Sequence, residues 1–334
     1  MIVETKAPCR ADLAGGTLDI WPLYLYHPSG VTVNFAVNLY THCRVETRPD
    51  SRVILRSLDQ KLEQSYPDLT ALKKATRHSH SLAAHVVRHF SPDCGLEVTT
   101  NSDAPAGGGI AGSSAMLIAT VSAFNRLCKT GHNLETIRET AQNIEAQIIK
   151  VPTGCQDYYP AMYGGVSAVE LRVEGLRRKP IDVDHAELNR RFVLAYTGKP
   201  RDSGVNNWEV TKAHIDGDRK VWRNFERIAA ISNGMRAALE KGDWTEAARL
   251  LREEWNFRRT NAPGISTPLI DHLAKITRKA GAGAAKVCGA GGGGCVVFLC
   301  DPEDKPRVTA AITNAGAQVL DVQVAPKGVT VRSS

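Results

Sequence analysis

Two glycine-rich stretches hold the residues most open to chemistry. The first reads Gly107-Gly108-Gly109-Ile110-Ala111-Gly112 and runs into Ser113-Ser114; the second reads Gly289-Ala290-Gly291-Gly292-Gly293-Gly294. Both match G-x-G-x-x-G. A dinucleotide site of that pattern also needs a strand before it, a helix after it and an acid about 20 residues on. No Asp or Glu occurs between Asp103 and Glu135, and the second stretch runs into the apolar run 295–299, a strand rather than a helix. Both fail as dinucleotide fingerprints, and no G-x-x-x-x-G-K-[ST] loop exists. What the first stretch keeps is a glycine loop and two serines opening a helix. Bare backbone N–H groups and the positive helix end then converge on one point, which suits a phosphate, and a serine hydroxyl there can reach a magnesium ion. Four consecutive glycines in the second stretch exceed what a two-residue turn needs. They predict close approach of backbone to a ligand or to the first loop. His85 and His89 are four apart in an expected helix, but Val86-Val87-Arg88 lacks the glutamate of H-E-x-x-H and no third ligand is evident, so no metal site is assigned there.

The elements that must position these residues follow from periodicity. Strands are expected at 2–7, 31–37, 42–48, 53–58 (after the Pro49-Asp50 turn) and 96–100. Residues 113–127 predict a helix apolar nearly all round, hence buried. Asn133 is a candidate N-cap for the next helix, where Leu134, Ile137, Ala141, Ile144 and Ile148 form a stripe. Strands are expected again at 165–171 and 192–196. Residues 204–280 are helical in pattern, with Trp222, Phe225, Ile228 and Ile231 on one helix and Trp244, Ala247, Ala248 and Leu251 on another. Short strands at 285–288 and 295–299, a helix near 303–314 and a strand at 318–324 complete the chain.

At 334 residues the chain predicts about two domains. Hydrophobic residues make up 43% and charged residues 23%, which excludes a disordered or collagen-like chain. The net charge of +7 favours anionic small molecules, and no long Lys/Arg run or interleaved aromatic stripe supports nucleic-acid binding. The eight cysteines form no CxxC pair and several lie in apolar runs, which reads as reduced, buried cysteine in a cytoplasmic protein. Residues 104–125 carry no charge, but their first half is Pro, Gly, Ala and Ser, so a buried helix is expected rather than a membrane span.

Three segments together resemble the GHMP kinases, the galacto-, homoserine, mevalonate and phosphomevalonate kinases. They are 7–19 (Ala7-Pro8-Cys9-Arg10-Ala11-Asp12-Leu13-Ala14-Gly15-Gly16-Thr17-Leu18-Asp19), the phosphate loop from Pro105 to Ala115, and 286–294 from Lys286 through the second glycine stretch. The segments Thr153-Gly154-Cys155-Gln156-Asp157-Tyr158-Tyr159 and Tyr196-Thr197-Gly198-Lys199-Pro200-Arg201 are similar to the branch holding D-glycero-D-manno-heptose 7-phosphate kinases and related sugar 1-kinases. Two departures stand out. Ala111 and Gly112 replace a glycine and a serine of the family's loop, and Thr17-Leu18 stand where the heptose-kinase branch has a glycine and a threonine.

The resemblance implies a two-domain α+β fold: a mixed α/β domain over 1–185 and a ferredoxin-like α+β domain over 186–334, with the site between them. It implies ATP-dependent phosphorylation of a sugar or sugar phosphate at the anomeric hydroxyl. A non-sugar alcohol substrate, or a non-catalytic binding protein on the same scaffold, is the alternative. Asp157 matches the base that accepts the hydroxyl proton and Arg10 the cation beside it. Pro105, Gly107, Gly108, Gly109, Ala111, Gly112, Ser113 and Ser114 match the ATP-binding loop. Ser113 and Glu145 match the Mg²⁺ ligands. Asp19 matches a sugar-hydroxyl acceptor, with Gly16, Gln156, Tyr159, Arg201, Ser203, Gly291 and Gly292 as further substrate contacts. No nucleic-acid or membrane partner is expected, and the oligomeric state stays open, a homodimer among the alternatives.

Overall fold

A computed structural model describes residues 1–200 and 203–334, with side chains from 206 onward in the second span. Its strands are β1 (Ile2–Ala14), β2 (Val31–Arg48), β3 (Val53–Ser57), β4 (Leu62–Tyr66), β5 (Gly95–Ser102), β6 (Val166–Arg172), β7 (Gly175–Pro180), β8 (Phe192–Tyr196), β9 (Ala282–Val287), β10 (Cys295–Cys300), β11 (Gln318–Leu320) and β12 (Thr330–Ser333). The helices are α1 (Leu69–Lys74), α2 (Ser81–Phe90), α3 (Gly112–Leu127), α4 (Leu134–Ile149), α5 (Tyr158–Tyr163), α6 (His185–Arg191), α7 (Ser203–Ile215), α8 (Arg219–Glu240), α9 (Trp244–Arg258), α10 (Pro268–Lys279) and α11 (Lys305–Asn314).

The first sheet runs β12-β1-β2-β5-β3-β4, with β6 and β7 continuing from β2. β1 changes character along its length. Val3, Thr5 and Ala7 are buried between exposed Glu4 and Lys6, the alternation of a sheet with one wet face. From Ala7 to Ala14 every residue is buried, because the second half of the molecule covers the other face. The expected strand 2–7 therefore continues seven residues further. A register shift between Pro8 and Cys9 accommodates the proline that reads as a strand end. The two strands expected at 31–37 and 42–48 are one, β2. Its first half pairs with β6 and its second half with β5, while β1 lies along both.

The second sheet is antiparallel, in the order β11-β8-β10-β9. Four helices separate β8 from β9, and one separates β10 from β11. This 4-1-3-2 order is the split βαβ arrangement of ferredoxin-like folds. The strand expected at 318–324 stops at Leu320, and Val324 instead bridges to Val37. The chain also departs from a clean division at residue 185. β12 returns to pair with β1, so the last residues belong to the first sheet.

Helix α3 packs on the first sheet, and α4 packs on α3. In α3, residues 114–124 are all buried. Asn133 caps α4, its side chain accepting a hydrogen bond from Thr136 N at 2.9 Å, and Ile137, Ala141 and Ile144 of the expected stripe are buried. Among the described residues no helix is long and apolar enough to cross a membrane, and no disulfide joins the cysteines, six of which are buried.

Candidate active site

A cavity of about 420 Å³ opens where β1, the N-terminus of α3, the loop before α5 and the end of α9 meet. One end is the phosphate loop. Pro105, Gly107, Gly108, Gly109, Ala111, Gly112 and Ser113 line it, and no side chain caps the N-terminus of α3. Its first-turn amides therefore face the cavity at the positive end of a helix. Ala111 sits in the left-handed region (φ +62°). That is a conformation natural to glycine, which accounts for a glycine at this place in the family pattern.

The second glycine stretch packs on the first. Cys295 N donates to Gly108 O at 2.7 Å, and a Cβ on Gly294 would come within 2.7 Å of that same oxygen. Of this stretch only Gly289 and Ala290 line the cavity. Gly291 and Gly292 turn away from it: a Cβ on Gly291 would meet Ile265 O at 2.5 Å, and Gly292 N donates to Ile265 O at 2.9 Å.

Arg10 and Asp157 form the centre. Arg10 comes from β1 and is 1% exposed. Its Nε and Nη2 donate to Asp157 Oδ1 at 2.9 and 2.6 Å, and its Nη1 donates to Gly109 O at 2.7 Å. One guanidinium thus ties the carboxylate to the phosphate loop. Burial opposes the charge on Arg10, but Asp157 and Asp12 hold its pKa above the ordinary value. Asp157 stands at the start of α5 with its side chain 26% exposed, and it faces the cavity.

Glu145, one place beyond the apolar stripe of α4, is buried under the same loop. Ser113 Oγ donates to its Oε1; Ser114 Oγ (2.9 Å) and the Tyr158 hydroxyl donate to Oε2. Ser113 is exposed to the cavity while Ser114 is buried behind it. Burial pushes the Glu145 carboxyl up, against the three hydroxyl donors. A carboxylate with an adjacent hydroxyl at the cavity wall is a hard-oxygen pair that fits a small divalent cation retaining water and phosphate oxygens.

The other end of the cavity gathers Thr17, Asp19, Gln156, Asn207 and Arg258. Asp19 is 2% exposed and accepts from Gln156 N at 2.8 Å and Thr17 N at 3.1 Å. Burial raises its pKa to about 6, and the nearby Asp157 adds to the rise. A Cβ on Gly154 would fall 2.1 Å from Asp19 Oδ2, so only glycine lets this loop pass. Gly16 is covered by Arg258 and Asp12 and does not line the cavity. Tyr159 is fully buried, with its hydroxyl 3.2 Å from Glu135, and it too lies off the cavity wall. Arg201 lies outside the described residues, and the side chain of Ser203 does as well.

The sequence reading missed a buried ionic cluster beneath this end. Asp12 Oδ2 meets Lys286 Nζ at 2.8 Å and Arg258 Nη1 at 3.1 Å, and Lys286 Nζ meets Glu254 Oε2 at 3.0 Å. All four side chains are at most 4% exposed. Burial would raise Asp12, but Lys286, Arg258 and Arg10 together hold it below the usual carboxylate range. A signal was present: Ala247, Leu251, Glu254 and Arg258 continue one stripe at 4,3,4 spacing, so two charged residues occupy core positions of α9.

Comparison with known proteins gives a consistent picture. Family models described as GHMP kinases N terminal domain and GHMP kinases C terminal match residues 74–165 and 235–318. The D-glycero-alpha-D-manno-heptose 7-phosphate kinase of Campylobacter jejuni is 27% identical over 98% of each chain. The solved D-glycero-D-manno-heptose 1-phosphate kinase of Bacteroides thetaiotaomicron superimposes with a TM-score of 0.80 at 26% identity, covering 99% of both chains. The galactokinase of Lactococcus lactis shares the fold, with a TM-score of 0.80 at 17% identity over 98% of this chain and 95% of that one.

Proposed function

The chain belongs to the GHMP kinase family, and on that premise we propose that it transfers the γ-phosphoryl group of ATP to a hydroxyl of a sugar phosphate, at the anomeric carbon of a heptose- or hexose-type acceptor. The observation that carries this reading is the Arg10–Asp157 pair, set between the phosphate loop and Asp19. The likeness to the heptose 7-phosphate kinase of Campylobacter jejuni over nearly the whole chain supports the acceptor class.

The roles follow from position. The loop 107–112 and the first amides of α3 hold the phosphates of the donor. Ser113 and Glu145 would hold Mg²⁺, which when bound neutralises charge on those phosphates. Asp19 accepts a hydrogen bond from a sugar hydroxyl and orients the acceptor. Asp157 takes the proton of the attacking hydroxyl as its oxygen bonds to the γ-phosphorus and the bond to the β-phosphate oxygen breaks, releasing ADP. Arg10 holds the Asp157 carboxylate in place through two hydrogen bonds, and it screens the negative charge of the reacting centre. A two-part division near residue 185, amended by the return of β12 to the first sheet, belongs to the same reading, with the acceptor entering between the halves.

The test is ADP release with Mg-ATP across hexoses, heptoses and their phosphates. One acceptor should dominate. Asp157→Asn should lose at least about 10²-fold in kcat, since a positioned base contributes about 10²–10⁴, while nucleotide affinity is kept. Full activity in that variant would reject Asp157 as the base. Activity confined to a non-sugar alcohol would reject the acceptor class.

A further inference from the structure

Among the described residues, six that are not glycine have φ in the left-handed region: Thr17, Lys61, Ser91, Ala111, Lys129 and Lys150. Ser91 and Lys150 end helices, and Lys61 and Lys129 are exposed. Thr17, at φ +78°, is the only β-branched residue of the six, and it lines the acceptor end of the cavity. For a β-branched side chain this backbone is an outlier, kept only where its surroundings enforce it, and such outliers gather at functional sites.

The surroundings do enforce it. Gly15 backs onto the Val31 carbonyl, where a Cβ would sit 2.0 Å from the oxygen. Gly16 lies under Arg258, with room for no side chain. Thr17 N donates to Asp19 Oδ1 at 3.1 Å, and Thr17 Oγ1 accepts from Arg258 Nη2 at 3.2 Å. Arg258 is itself fixed by Asp12 from below. Thr17 is thus held through its backbone N–H and through its hydroxyl, beside the carboxylate expected to read the sugar.

We propose that Thr17 is a specificity-determining residue for the acceptor. With Arg258 donating to the hydroxyl oxygen, the O–H remains able to donate to an oxygen of a bound acceptor. A donor and a carboxylate side by side recognise two neighbouring oxygens of a polyol. This inference rests on the sugar-kinase reading above. Glycine at this position would relax the backbone and also open the cavity. Stability and discrimination should therefore move in opposite directions, which a residue serving only the fold would not allow.

The experiment measures kcat/KM for hexose phosphates and heptose phosphates with Mg-ATP, together with the melting temperature, in the wild type, Thr17→Gly and Thr17→Ser. The Gly variant should melt at or above the wild type and keep its KM for ATP. Its kcat/KM ratio between the best and next acceptors should fall at least about tenfold. The Ser variant, which keeps the hydroxyl, should hold that ratio within about threefold. An unchanged acceptor ratio in the Gly variant overturns the inference alone. A lower melting temperature with equal loss on every acceptor also overturns it, leaving Thr17 a scaffold residue. No turnover by the wild type with any acceptor overturns the proposed function, and this inference with it.

Discussion

Ala111 and Asp19 each carry a measurable cost. Ala111 holds a left-handed backbone at the mouth of the phosphate loop. That conformation costs an L-residue roughly 1–2 kcal/mol, while glycine gives back about 0.4–1 kcal/mol through a looser unfolded chain. Ala111→Gly should therefore stabilise the protein by up to about 1 kcal/mol, read as a higher urea midpoint at unchanged m-value. Asp19 is a pH-sensitive residue. Its pKa is raised from 3.8 to about 6 chiefly by burial, so the folded protein keeps a proton that the unfolded chain has already released. The associated stability is complete below about pH 4 and is lost as pH rises through about 6. Sugar recognition needs the ionised form, so kcat/KM for the acceptor should rise with pH through about 6. Asp19→Asn should flatten that limb and lower kcat/KM; a limb that survives the substitution would assign it to another group. Asp157 and Glu145 were legible only because motif spacing singled them out, since by residue type each passes for a turn or surface acid. Thr17 was noted as a departure, but its backbone conformation is visible only in three dimensions.

At the scale of elements, legibility tracked local periodicity. α4 repeats at the helical period, α3 is apolar nearly all round and the strands flanking the third motif are short, largely apolar runs, and all lie close to where the sequence puts them. Asn133 is an N-cap in sequence and in structure, and Asn133→Ala should cost about 1 kcal/mol of stability in chemical denaturation. Because Glu145 rides on the same helix but three turns away, kcat should change less than twofold. β1 was cut short because Pro8, Arg10 and Asp12 oppose a strand reading. The bulge absorbs the proline, and the partners that make the two charges tolerable come from residues more than a hundred positions away. The short elements α5, β7 and α6 are dictated by tertiary contacts rather than by pattern, and periodicity does not reveal them.

At the scale of the molecule, the cluster of Asp12, Glu254, Arg258 and Lys286 joins β1 of the first sheet to α9 and to β9 of the second. Removing one member of a buried ionic set leaves an uncompensated charge, at a typical cost of 3–5 kcal/mol. Lys286→Met should lower stability by about that much. Because the cluster ties both sheets, unfolding should remain a single transition by fluorescence and by circular dichroism. Separate transitions would mean that the two halves unfold independently.

The seam at the phosphate loop has a consequence for how the donor is received. Gly108 is held through Pro105 O, its own carbonyl is taken by Cys295 N, and Arg10 N holds the carbonyl of Ile110. Three backbone bonds from three parts of the chain therefore fix the loop before any nucleotide arrives, and the conformational entropy of ordering it is lost at folding rather than at binding. The amides of Arg10, Gly108 and Cys295 should resist hydrogen–deuterium exchange in the free protein and change little when nucleotide is added. Association should then proceed without a slow ordering phase, so that donor affinity is set by the contacts made and by the dissociation rate.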